Sequence, residues 1–528
     1  MKLRVTLALL LLSGVFLLTA VRTYKISTEV LHAANSGGAK TVDVAEIRGT
    51  VYDCNLNPIT NAGVEYTAAA KPTQKAVAAL KKVLTYDSFK AVSERMLSGK
   101  PLTVGVNDAS CECGDVKIVS YPVRYESVFA CHLTGYLDSS GKGVSGVEKA
   151  FNDLLNSYSY TVSVRFNSDA TGRVLLGEEI EVVSEVNKGG IALTVDRDIQ
   201  QIAENAMDEA NVEKGAAVII DIESGSLKAC VSRPAFDPEN VALSLEDENY
   251  PFINRAFLPF SVGSVFKPVV AAAAIENGIK EFEYDCTGSV MLNGVTFNCH
   301  EENGHGLLDM NDALAYSCNT YFIALARKIG ADNIIKTASD FGFGKETVFA
   351  DGISSSAGNL PSADEIDSQA AIANLAFGQG ALTATPVQIC AAMASIARNG
   401  IYIEPWLIGG EVNSDGELTN RIYSESKTRI ISEATANALK EYLLAVVEKG
   451  SGRRAKSESV ICGGKTATAQ TGKIKNGSEI YNAWFAGYFP ADNPRYAVAI
   501  LKEDGGEGAL SCAPIFRAIA EAITELEK

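Results

Sequence analysis

Apolar and polar positions divide the chain into segments of different period. Residues 5–21, VTLALLLLSGVFLLTAV, carry no charged side chain, with Lys2 and Arg4 before them and Arg22 and Lys25 after. Such a run lies at the short end of a bilayer span. Its end, LTAV followed by Arg22, lacks a small-x-small cleavage signature and a lipid-attachable cysteine, so an uncleaved anchor is expected rather than a removed signal peptide. The basic residues ahead of it predict residues 1–4 inside and everything after residue 22 outside. Beyond Gly37-Gly38, TVDVAEIRGTVYD reads as strand. Residues 67–98, rich in alanine and leucine with dispersed charge, read as helical. VKIVSYPVRY, YTVSVRF, RVLLG and EEIEVVSEV are short strand-like runs, with the helix-like GVEKAFNDLL among them. This α+β block ends near Gly189-Gly190.

A second domain opens with a strand closing at Thr194-Val195-Asp196 and a helix running to about Ala210. GAAVIIDIESGSLKACVS reads as a hairpin turning at Glu223-Ser224-Gly225. Helical runs dominate from 264 to about 396. VICGGKTATAQTG and AWFAGYFPADNPRYAVAILKE are strands again, and APIFRAIAEAITEL is helical. Strands near both ends with helices between them predict one α/β domain whose sheet draws on both ends of the segment.

The chain has 528 residues, 47% of them hydrophobic, which excludes a wholly disordered protein and allows two or more domains. A net charge of −17 argues against a nucleic-acid partner. Eleven cysteines are too few for a disulfide scaffold. Cys286 and Cys299 are the pair to test first for a disulfide. Cys286, Cys299, His300 and His305 could form a zinc site in principle, but their irregular spacing and the adjacency of Cys299 and His300 argue against it, so no metal or cofactor is expected.

Within PFSVGSVFKPVVAAAAIENG, a single lysine, Lys267, interrupts an apolar run that stops at Asn277-Gly278. Ser264 lies three residues earlier, at the helix start and on the same face. Pro268 is tolerable if it falls in the first turn. Ser-x-x-Lys alone is a weak pattern, and it recurs at Ser139–Lys142 and Ser424–Lys427. Two later stretches strengthen it: Ser317-Cys318-Asn319 in ALAYSCNTYFIALARKIG, and Lys465-Thr466-Ala467-Thr468 after Gly463-Gly464.

In order and spacing these resemble the penicillin-binding proteins, whose signatures are Ser-x-x-Lys, Ser-x-Asn and Lys-Thr-Gly. NRAFLPFSVGSVFKP, ENGHG, LAFGQGALTATPVQICAAMASIARNG and NAWFAGYFPADNPRYAVAI are similar to further blocks of that family. EIRGTVYDCNLNPI and CHLTGYLDSSGKGVSGVEKAFNDLL resemble the N-terminal module of its class B members. The likeness covers nearly all of residues 46–528. It implies a serine β-lactamase-like transpeptidase domain over 189–528, α/β with an antiparallel sheet flanked by helices. An α+β pedestal, dimerisation-like, is implied over 22–188, a transmembrane anchor over 5–21 and a cytoplasmic tail over 1–4.

The implied activity is peptidoglycan D,D-transpeptidation, with release of D-Ala and covalent capture of β-lactams. Ser264 would be the nucleophile and Lys267 its base, which requires a neutral amine. Ser317 would relay a proton, and Asn319 would bond Lys267 and the substrate amide. Backbone N–H groups of Ser264 and Thr468 would hold the oxyanion. Lys465, Thr466 and Thr468 would hold the donor carboxylate. Ala467 stands where glycine is usual, which would alter β-lactam kinetics. Cys318 is expected as a buried small hydrophobe, and His305 as structural or cleft-lining. Asp196 and Arg255 would support the fold, and Trp484 and Tyr488 would pack at or behind the cleft strand. Implied partners are stem peptides, lipid-linked or nascent glycan strands, β-lactams and a polytopic membrane glycosyltransferase. A D,D-carboxypeptidase, a serine β-lactamase and a non-enzymatic β-lactam sensor or scaffold are the alternatives.

Overall fold

The strand Gly215–Asp221 is buried almost throughout, because both of its faces are covered. Ala217 and Ile219 point into one apolar cluster, while Ala216, Val218 and Ile220 point into another. That strand pairs with Leu227–Arg233 as the expected hairpin. It then pairs with Tyr496–Lys502 from the far end of the chain. Ser478–Phe489 and the edge strand Gly463–Lys475 complete a five-stranded antiparallel sheet. The computed structural model describes residues 12–25, 38–169, 171–424, 426–475 and 477–528.

Helices Arg197–Glu209 and Ala513–Leu526 contribute Ile199, Ala203, Met207, Phe516, Ile519 and Ile523 to the cluster on one face of the sheet. Asp196 caps the first of these, its carboxylate accepting from the N–H groups of Asp198 and Ile199. On the other face lie Lys267–Glu276 and Pro386–Ala397, the latter buried along its whole length. Arg255 is buried and held by Glu503 at 2.5 Å and by the carbonyl of Asn249 at 2.6 Å. Asp196 and Arg255 thus act as fold supports, as expected.

The chain divides into two compact units. One takes the described residues up to Gly49, then Asn61–Glu126 and Tyr158–Asn187. It contains the sheets Ala39–Ile47/Tyr160–Asn167/Glu181–Ser184 and Leu102–Val106/Gly63–Ala70/Val116–Val123. The other takes Thr50–Thr60, Ser127–Ser157 and Lys188–Lys528. The helix expected over 67–98 is corrected at its start. Residues 67–70 end the strand Gly63–Ala70, and helices follow only at Gln74–Leu80 and Tyr86–Met96. Alanine favours helix, but Ala68, Ala69 and Ala70 are fully buried between two strands, and packing overrides propensity. The short strands between Tyr284 and Ser355 were not expected within a mainly helical stretch.

Residues 12–25 are helical, whereas residues 5–11 of the expected anchor lie outside the described residues. Among the described residues no helix is long and apolar enough to cross a membrane.

Candidate active site

The turn carrying Ser264 is built by close backbone approach. Gly263 has φ +61° and donates its N–H to the Gly378 carbonyl at 2.8 Å. A Cβ on Gly378 would lie 2.2 Å from the Gly263 oxygen, so a side chain there would push the turn out of place. Gly263–Phe266 is a 3-10 turn that runs directly into the helix Lys267–Glu276. Pro268 sits in the first turn of that helix, where its missing N–H costs nothing. The helix is buried from Lys267 through Ile275, apolar on every side except for the lysine itself.

Lys267 is completely buried. Its Nζ donates to the Ser317 carbonyl at 2.6 Å, to Asn319 Oδ1 at 2.8 Å and to Ser317 Oγ at 3.3 Å. The Phe322 ring centroid lies 5.4 Å away. Burial pushes the ammonium down to about 8, against a smaller opposing pull from the Cys318 and Cys299 thiols. A fall from 10.5 to about 8 corresponds to about 3 kcal/mol, so a neutral amine is readily reached near neutral pH.

Ser317 reaches Lys267 because of how the preceding helix ends. After Met310–Ala315, the N–H of Cys318 bonds the Ala313 carbonyl at 2.9 Å and that of Ser317 bonds Leu314 at 3.2 Å. This is a Schellman closure, which normally places glycine at the left-handed position. Here that position is Ser317, at φ +59°. The strain aims its carbonyl and hydroxyl together at the buried amine. Ser317→Gly is therefore expected to raise unfolding stability by about 1 kcal/mol, measured by chemical denaturation. A less stable variant would show that the serine hydroxyl offsets the strain. Asn319 opens the next helix, Asn319–Ile329, which Cys318 caps.

Along Gly463–Lys475, Lys465, Ala467 and Ala469 share one face of the strand and Thr466 and Thr468 the other. Lys465 is also fully buried, with the Thr466 carbonyl 3.0 Å from its Nζ. Burial first, and the Lys267 charge second, hold its pKa well below the usual lysine range. Thr466 Oγ1 donates to Ser451 Oγ at 3.0 Å, and Thr468 Oγ1 accepts from the Gly508 N–H at 3.3 Å. Ala467 pairs with Trp484 across the sheet and is buried beside Gly263. The structure thus joins Lys267, Ser317 and Asn319 directly and buries Lys465 within electrostatic reach. It turns Thr466 and Thr468 to the strand's opposite face.

Three contacts were not legible beforehand. Trp484 is fully buried, and its indole N–H donates to the Ser261 carbonyl at 3.0 Å, tying the approach to Ser264 onto the sheet. Tyr488 is equally buried and bonds the Lys440 carbonyl at 3.2 Å, so both aromatics lie behind the strand. Ser451 partners Thr466 from a turn that no motif marks. The glycines of LAFGQG were the only hint of the Gly378–Gly263 contact. The expected pairing of Cys286 with Cys299 is corrected. All eleven cysteines are free thiols, and the sulfurs of Cys286 and Cys299 both face His305 Nδ1.

Residues 215–521 match the family model described as the penicillin binding protein transpeptidase domain. PbpB of Mycolicibacterium smegmatis is 30% identical over 497 residues, covering 89% of this chain and 74% of that protein. Stage V sporulation protein D of Bacillus subtilis is 30% identical over 390 residues, covering 71% of this chain and 59% of that protein. Thus the chain spans well under the full length of both. Penicillin binding protein 3 from Mycobacterium tuberculosis, solved in complex with aztreonam, superposes with a TM-score of 0.66 at 25% identity, covering 92% of this chain and 97% of that one.

Proposed function

The chain belongs to the penicillin-binding protein transpeptidase family, and on that premise we propose that it is a peptidoglycan D,D-transpeptidase acting through an acyl-enzyme on Ser264. The observation that carries this is the buried amine of Lys267, one turn from Ser264 and bonded to Ser317 and Asn319. A serine hydroxyl is a weak nucleophile without a base, and a lysine kept out of water is one of the few side chains that can serve. Neutral Lys267 takes the Ser264 proton as Oγ attacks the carbonyl of the donor's penultimate D-Ala. The peptide C–N bond then breaks, and the departing D-Ala amine receives a proton through Ser317. An amine from a neighbouring stem peptide attacks the resulting ester and restores the serine. A β-lactam follows the first half of this path and remains attached.

Backbone N–H groups of Ser264 and Thr468 are assigned to the oxyanion, where fixed donors act without reorganising. Lys465, with Thr466 and Thr468 from the opposite face of this edge strand, is assigned to the donor carboxylate. An incoming carboxylate favours the charged form of Lys465, reversing what burial does to it in the free enzyme. Ala467 in place of glycine is assigned an effect on β-lactam kinetics. Residues 5–21 are assigned as a membrane anchor after a short inner tail, with 22–188 as a pedestal outside and 189–528 as the catalytic domain. The uncharged run at 5–21 and the helical residues 12–25 support the anchor. A polytopic glycosyltransferase is the assigned membrane partner.

Labelled penicillin is expected to attach covalently to the full chain and to be lost in Ser264→Ala. Mass spectrometry of the intact protein reads both. Label retained on the folded alanine variant would overturn the assignment of the nucleophile.

A further inference from the structure

We infer that Cys286, Cys299, His305 and Cys318 form a zinc-binding site that holds the Ser317-Cys318-Asn319 turn in place. Their four ligand atoms lie within 4.8 Å of one another. Three of the separations match those around one ion. With Zn–S about 2.3 Å and Zn–N about 2.0–2.1 Å, a tetrahedral centre sets sulfur–sulfur separations near about 3.8 Å and sulfur–nitrogen separations near about 3.5 Å. Cys299 and Cys318 are 3.8 Å apart, and His305 Nδ1 lies 3.6 Å from Cys286 and 3.5 Å from Cys299. A disulfide would need about 2.05 Å between sulfurs. Three thiols and one imidazole are soft donors suited to zinc rather than to magnesium or calcium.

The surroundings are those of a closed structural site. The three cysteines are buried. The Thr320 hydroxyl donates to Cys286 Sγ at 3.0 Å, and the Tyr321 N–H donates to Cys318 Sγ at 3.5 Å. The His305 ring stacks on Tyr316 with centroids 6.0 Å apart. The two supporting loops are pressed together at glycines. A Cβ on Gly304 would lie 2.0 Å from the Cys286 oxygen, and one on Gly288 would lie 2.1 Å from the Glu302 oxygen. His300, which the sequence suggested as a ligand, is outside the quartet. Cys318, which the sequence read as a plain apolar filler, takes its place.

The position of Cys318 gives the ion its role. Its neighbours on either side, Ser317 and Asn319, supply the three oxygens that receive Lys267 Nζ. An ion on the Cys318 sulfur therefore pins a strained turn that entropy would otherwise loosen. Cys318 itself touches no substrate in this scheme and is a positioning residue.

The test begins with metal content, which is independent of the acylation reading. The full chain, purified under reducing conditions without chelator, is expected to carry one zinc by elemental mass spectrometry. Cobalt in its place should give the ligand-field and thiolate charge-transfer absorption of a tetrahedral site, lost in Cys299→Ser. Thr320→Val keeps all four ligands, so it should fold and yet bind zinc about tenfold more weakly. A metal-free chain with no cobalt spectrum would overturn the site, as would a Cys299–Cys318 disulfide in the freshly purified protein. The second arm rests on the proposed acylation of Ser264. Removing zinc from the folded protein should slow penicillin labelling, toward about 100-fold, with recovery when zinc is returned. Unchanged labelling would overturn the positioning role. If the zinc-bound chain never labels, the site stands and the acylation reading fails.

Discussion

A folded Lys267→Arg protein is expected to lose covalent penicillin labelling by about 100-fold or more. Arginine keeps a cation at the same place and much of the length. It does not deprotonate at any usable pH, so it cannot take the Ser264 proton. Lys267→Ala should fail equally, because it offers no base at all. In the unaltered protein the labelling rate should rise about tenfold per pH unit below the lysine's pKa and level off above it, since only the neutral amine works. Burial sets that pKa at about 8. The competing view is a lysine whose stem packs in the core while its amine reaches water, which arginine would imitate well. The complete burial of Lys267 already speaks against that. Near-normal labelling of a folded Lys267→Arg protein, with a flat pH profile, would remove the lysine from the mechanism.

What could be read in the sequence follows from how local each feature is. The hairpin Gly215–Arg233 and the helix capped by Asp196 were legible because period, turn and cap all lie within a few residues. Lys267, Ser317, Asn319 and Lys465 are far apart in sequence. They were legible as a set only through their ordered motifs. The geometry behind the motifs was not. Nothing in ALAYSCN reveals that Ser317 takes a left-handed conformation, because a Schellman closure usually announces itself with glycine. The proposed cysteine quartet was not legible for a related reason. Spacing offered Cys286, Cys299, His300 and His305, with the adjacency of Cys299 and His300 counting against a site, whereas the fold brings Cys318, from a separate motif, within 4.8 Å of Cys286, Cys299 and His305. At Ala68–Ala70 a strong local preference was overruled by burial between two strands.

Lys267→Met is expected to compare most favourably in stability with the unaltered chain near neutral pH, and to lose about 3 kcal/mol of that relative stability as pH rises toward the ordinary lysine range. Folding depresses the pKa of this base from 10.5 to about 8. Below about 8 both states carry the proton, and the folded state bears the full penalty, about 3 kcal/mol. Between about 8 and about 10.5 the unfolded chain binds a proton that the folded chain does not, so stability rises with pH by about 1.4 kcal/mol per unit. Above that window neither state is charged and the penalty is gone. Methionine carries no charge in either state, so the variant lacks this rise. The level of the difference also reflects the hydrogen bonds to Ser317 and Asn319 that methionine cannot make. Its slope against pH does not, because only titration enters it. Lys465→Met should show the same sign, over a window that begins where burial and the Lys267 charge have placed that lysine. Denaturant unfolding of all three proteins across this range reads the effect. If variant and unaltered chain change in parallel with pH, the Lys267 ammonium is not held out of water, and the base required for Ser264 is missing.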